Sequence, residues 1–111
     1  MNRALNDQES TLLKHLLNLV HDSRAQSKLP EFIEVMDDGG MGSIQFGDRL
    51  GRTFGRDIVQ VKYIDTDNTP VFITLIEDNF GALFELEFWK VDNSKLLAYP
   101  SIDQVVLLDE R

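Results

Sequence analysis

The residues best suited to chemistry lie in one predicted strand, FELEFWKVD at 84–92. Strict alternation along this strand predicts one face made of Phe84, Leu86 and Phe88. The other face then carries Glu85, Glu87 and Trp89. Two carboxylates so placed could form an acid and base pair of the glycosidase kind, but neighbouring acids on a strand more often form a solvated face. We expect no catalytic residues here, and Trp89 either lies under a covering loop or anchors a contact surface.

Three arginines form a basic island within the segment GDRLGRTFGRD, at Arg49, Arg52 and Arg56. A guanidinium group binds a carboxylate or another anion through paired hydrogen bonds. The competing interpretation is that these arginines pair with acids of their own domain. Arg52 and Arg56 are therefore candidate anion-binding residues, with Trp89 beside them around a pocket.

The segment MDDGGMGS at 36–43 is rich in glycine but does not fit a phosphate-binding loop. Asp37 and Asp38 repel phosphate, no lysine follows, and no helical pattern begins after Ser43. The glycines instead favour a hairpin turn with positive φ angles, and Asp38 stays a candidate binding residue. Neither these acids nor the Asp65 and Asp67 pair has the spacing of a calcium loop.

The two histidines, His15 and His21, are six residues apart on a predicted helix and do not share a face. The chain has no cysteine, which excludes a thiolate zinc site and a thiol nucleophile. We expect no metal and no cofactor.

An N-terminal amphipathic helix is predicted from leucines at helical spacing after Asn6. Asn6 can cap the helix, with Glu9 completing a capping box. Pro30 disfavours helix before it, so the helix should end between about Val20 and Gln26.

Short β-rich runs follow the helix and predict the remainder of the fold. EFIEVM and SIQF suggest a hairpin, 58–64 and 71–77 form the most secure hairpin, and 82–91 forms the next strand. VVLL near the C-terminus is a short strand or a helical turn. We predict one α+β domain over 1–111, an N-terminal amphipathic helix packed on an antiparallel meander sheet of about five strands.

The chain of 111 residues is acidic, with a formal charge of −8. Residues 1–30 hold four basic and three acidic side chains (+1), and 31–111 hold seven and sixteen (−9). This charge disfavours general binding to nucleic acid or anionic membranes and favours a basic partner. No signal peptide or membrane span is evident, and the lack of cysteine fits the cytoplasm.

Two segments, DGGMGS and FELEFWKVD, together with the later LLAYPS, resemble a family of small uncharacterised bacterial domains over about residues 5–101. The matching positions are Asp38, Gly39, Gly40, Met41, Gly42, Ser43, Glu85, Trp89, Lys90 and Asp92. The resemblance implies cytoplasmic proteins of about this length. It implies no catalytic residues, because the family has none assigned.

These observations favour a non-enzymatic protein-interaction domain. Its partner is a basic protein, as for an acidic bacterial immunity or inhibitor-type protein, or a second copy of the chain. The alternative is a domain that binds a small anion or carboxylate, and the third hypothesis is a hydrolase. The candidate binding residues are Asp38, Arg52, Arg56, Glu85, Glu87 and Trp89.

Overall fold

A computed structural model of the protein describes residues 2–47 and 49–108. One α-helix, α1 (Asp7–Leu19), lies near the N-terminus, and two short 3₁₀ turns occupy Ser23–Gln26 and Ile102–Gln104. The strands are β1 (Asn2–Ala4), β2 (Phe32–Val35), β3 (Ile44–Phe46), β4 (Phe54–Ile64), β5 (Pro70–Asp78), β6 (Leu83–Lys90) and β7 (Val106–Leu107).

The start of α1 is the predicted capping box. The backbone N–H of Glu9 donates to Asn6 Oδ1 at 2.8 Å, and the N–H of Asn6 donates to Glu9 Oε1 at 3.1 Å. The helix ends at Leu19, one residue before the predicted interval. Its fully buried side chains are Leu12, Leu13, Leu16 and Leu17. The helix therefore packs on the sheet through the apolar stripe that its sequence predicts.

The described strands form one antiparallel sheet in the order β1-β2-β3-β6-β5-β4-β7. The prediction of a meander of about five strands is wrong in number and in connection, because two meanders join where β3 pairs with β6. The outermost strands, β1 and β7, have three and two residues. Segments this short carry no periodic pattern, so their pairing depends on neighbouring strands.

Strand β4 begins at Phe54, four residues before the predicted strand 58–64. Gly55 explains this extension, because a Cβ atom there would lie 2.2 Å from the carbonyl oxygen of Asp78. Only glycine permits the two backbones to approach so closely. The pairing of β4 with β5 otherwise confirms the predicted main hairpin.

The two faces of the sheet differ in composition. The helix side holds the core, for example the cross-strand row of Val59, Leu75 and Leu86. We call the opposite side the outer face; the side chains that define it are Glu34, Gln45, Asp57, Gln60, Lys62, Phe72, Thr74, Ile76, Glu85, Glu87 and Trp89.

One residue of β6 departs from the predicted alternation. Leu83 pairs with Glu77 and Glu85 pairs with Ile76, so Phe84 is the extra residue of an irregularity in the ladder. Phe84 was predicted to join the core face. It is instead half-buried beneath Arg52, whose Cζ lies 4.8 Å from the ring centroid.

Candidate functional site

The outer face brings together three of the predicted site residues. Glu85, Glu87 and Trp89 project from β6 to this side, and Trp89 pairs with Phe72 of β5. The two rings stack with centroids 5.9 Å apart and planes inclined by 26°. Trp89 is 48% exposed, so the alternative in which a loop covers it is wrong. Its indole N–H donates to Asn93 Oδ1 at 3.2 Å.

The carboxylates beside Trp89 form no direct ion pair. Neither Glu85 nor Glu87 forms an ion pair with any residue in 2–47 or 49–108. Burial raises the pKa of Glu85 above its usual value, repulsion from Glu87 raises it further, and the charge of Arg52 offsets part of the rise. Four acids on the outer face, Glu34, Asp57, Glu85 and Glu87, against Lys62 give a net charge of −3.

The two candidate arginines lie apart and have internal partners. The Arg52 side chain is only 5% exposed and lies 3.8 Å from Asp78 Oδ2. Arg56 Nε donates to Glu77 Oε2 at 3.1 Å. Arg52 lines one groove, Arg56 lines a separate depression, and Trp89 lines neither. The structure therefore does not gather Arg52, Arg56 and Trp89 around one pocket.

Asp38 holds the glycine-rich loop in shape. Its two carboxylate oxygens accept from the backbone N–H groups of Met41 and Ser43, each at 3.0 Å. Gly39, Gly40 and Gly42 have positive φ angles, which confirms the predicted use of glycine in this turn. Both oxygens of Asp38 are thus hydrogen-bonded within the loop.

The two segments that carry the family resemblance contact each other. Ser43 Oγ accepts from the N–H of Phe88 at 2.9 Å and donates to its carbonyl at 3.3 Å. The N–H of Lys90 donates to Met41 Sδ at 3.3 Å. These bonds attach the glycine-rich loop to β6 where β3 no longer pairs with it.

Sequence reasoning missed a buried ion cluster at the end of β6. Lys90 is fully buried, and its Nζ lies 2.8 Å from Asp65 Oδ2 and 2.9 Å from Asp67 Oδ2. Nζ also donates to the carbonyl of Lys95 at 3.0 Å. The alternation of side chains along β6 could have revealed it, because Lys90 lies on the same core-facing side as Leu86 and Phe88.

Asp65 is the centre of this cluster. Burial by itself raises the pKa of a carboxyl group, but Lys90 and the N–H groups of Leu97, Thr66 and Ala98 lower the pKa of Asp65 to about 2. The cluster joins the β4–β5 turn, the end of β6 and the segment 95–98. These bonds therefore hold three separate segments of the fold together.

The described residues hold neither a metal-binding cluster nor a membrane-spanning helix. No three or more His, Cys, Asp or Glu side chains there are grouped so as to hold a metal ion. No helix there is long and apolar enough to cross a membrane.

Comparison of the sequence with known protein families identifies the family to which the chain belongs. Residues 2–100 match the model of a domain of unknown function, DUF6984. No curated protein and no solved structure matches the sequence. The match confirms an uncharacterised family, while the bacterial origin and the motif positions stay expectations. Because the match covers residues 2–100 of the 111, the chain belongs to the DUF6984 family.

Proposed function

We propose that the protein is a non-enzymatic interaction domain that binds a basic protein through its outer face. The observation that carries this proposal is the exposed Trp89, stacked on Phe72 and beside two carboxylates that form no direct ion pair within the described residues. An acidic immunity or inhibitor-type protein acting in the bacterial cytoplasm is one form of this function.

The aromatic pair supplies the contact area. Large aromatic side chains near the centre of a patch carry a disproportionate share of binding energy. Stacking on Phe72 and the hydrogen bond to Asn93 orient the Trp89 ring before binding, so little side-chain entropy remains to be lost. The ring can also receive a cation, because its face attracts lysine and arginine groups.

The acidic residues favour a partner with positive charge. Residues two apart on a strand lie ~7 Å from each other, so a basic side chain over Trp89 also reaches Glu87. A cation there offsets the repulsion between Glu85 and Glu87 that raises the pKa of Glu85. The net charge of −8 adds long-range attraction for a basic protein.

The experiment compares capture of proteins from host lysate by the wild type and by W89A, followed by affinity measurements with the purified partner. Trp89→Ala should weaken binding by about thirtyfold or more, as expected for a 2 kcal/mol hot spot. Glu87→Lys should mainly slow association and reduce its salt dependence. Ile102→Ala is the matched control, an exposed apolar residue beside α1.

A further measurement distinguishes binding to a different protein from self-association. Sedimentation of the isolated protein shows whether a second copy binds, and W89A then reverts to monomer. The proposal fails if the captured protein is acidic, or if W89A and I102A bind it as well as the wild type does while circular dichroism shows both variants folded.

A further inference from the structure

We propose a second binding site, on the helix side of the sheet, for a small amphipathic carboxylate. The site is a groove of about 830 Å³ between the segment 27–31 and the ends of β2, β3 and β6. It is separate from the outer face and does not depend on the protein-binding proposal. Its ligand is a monoanion with an apolar body and a carboxylate head.

The walls of the groove account for the apolar body. They include Leu29, Pro30, Ile33, Phe46 and Leu83. Ile33, Phe46 and Leu83 also belong to the hydrophobic core, so the floor of the groove is continuous with the core. The volume falls in the range typical of small-ligand sites, about 300–1,000 Å³. An apolar chain lying there removes this surface from water.

The charged lining residues account for the head group. Arg24, Lys28 and Arg52 face Glu31, which makes the lining net positive on a chain of charge −8. Arg24 is occupied by Asp22 and Glu77, and Lys28 pairs with Glu31. Arg52 also has an acidic neighbour, Asp78, but their contact of 3.8 Å is too long for a hydrogen bond, so Arg52 is the residue that receives the head.

Arg52 is held in place without being fully paired. Its Nε and Nη2 donate to the carbonyls of Arg49 and Gly47, each at 3.2 Å, and these neutral acceptors fix the guanidinium direction. Nη1 lies 3.8 Å from Asp78 Oδ2, beyond hydrogen-bond distance, and that oxygen has no hydrogen-bond partner among the described residues. A ligand carboxylate at Nη1 gains the short charge-assisted bond that Asp78 does not make.

The neighbouring acids restrict the charge of the ligand. Asp78 and Glu31 lie close enough to oppose a second negative charge, so a phosphate dianion fits less well than a carboxylate. A small hydrophilic anion leaves the apolar walls in water. The combination selects a single carboxylate on an apolar chain.

The experiment measures binding of dodecanoate and of dodecanol, each below the concentration at which it aggregates, by titration calorimetry. Dodecanoate should bind at least about tenfold more tightly than dodecanol, because the two differ only in the head group. Arg52→Gln should remove most of that difference. Ala82→Trp, at an exposed residue lining the groove, should abolish binding of both compounds.

Trp89→Ala is the control that separates the two proposals, since it changes the outer face only and should leave dodecanoate binding unchanged. If R52Q fails to fold, the comparison of the two head groups and the A82W variant still decide the result. Absence of dodecanoate binding, equal affinity for the two compounds, or full binding by folded A82W overturns the proposal.

Discussion

At the scale of single residues, the most consequential side chain is Lys90. Its ammonium group is buried and joins two acids of the β4–β5 turn, the buried Asp65 and the more exposed Asp67, to the carbonyl of Lys95. Removing one partner of a buried ion pair leaves the other charge without compensation. The lysine that the family resemblance singled out thus stabilises the fold beside the exposed Trp89.

We expect Lys90→Met to lower the free energy of unfolding by about 3–5 kcal/mol, the usual result of breaking a buried pair. Denaturant titration measures the change, and Lys14→Met on the exposed side of α1 is the control. A loss for K90M no larger than for K14M contradicts the structural role of the cluster.

A second prediction at this scale concerns pH and Glu85. The pKa of Glu85 is raised in the folded protein, so the folded state holds its proton more tightly than the unfolded state does. Stability therefore falls as pH rises above the ordinary value near 4.5, where ionisation begins in the unfolded chain. Glu85→Gln removes this loss.

The midpoint of thermal unfolding should accordingly be higher for E85Q than for the wild type at pH 7, and the difference should shrink toward pH 4. Glu34→Gln, at an exposed acid of the same face, is the control. A difference between E85Q and wild type that does not change with pH contradicts the argument.

At the scale of elements, the sequence specified best those segments whose interactions are local. The capping box at Asn6 and the leucine stripe lie within one helix, and the turn between β4 and β5 spans few residues. The irregularity at Phe84 and the early start of β4 depend on contacts with other strands. Those features were mispredicted for that reason.

Leu16→Ala tests the packing of α1 on the sheet. Leu16 is fully buried, and a helix of 13 residues is marginal in water without tertiary contacts. The substitution should cost ~2–5 kcal/mol of unfolding free energy by denaturant titration. A loss within half a kcal/mol of that from an exposed-face change such as Asn18→Ala contradicts this placement of the helix.

At the scale of the whole molecule, the sheet separates two surfaces of opposite character. The outer face is acidic and aromatic, while the groove on the helix side has an apolar floor and a net positive lining. The overall charge of −8 conceals this division. Strands β2, β3 and β6 contribute residues to both surfaces.

The sequence by itself determined the α+β class, the helix with its cap, the main hairpin and the shared face of Glu85, Glu87 and Trp89. The helix and the shared face follow from a period of 3.6 or 2.0 along one segment, which records burial on one side of that segment, while the cap follows from the residue types at Asn6 and Glu9. Periodicity is therefore sufficient for these elements and for the direction of their side chains wherever the strand ladder is regular.

Only the tertiary structure decided which distant residues meet. It paired Lys90 with Asp65, 25 positions earlier, and placed Arg52 and Arg56 in separate depressions although they are four residues apart. It also added β1 and β7 at the edges of the sheet. Such contacts depend on where loops and neighbouring strands place each segment, and no local pattern of apolar residues encodes that position.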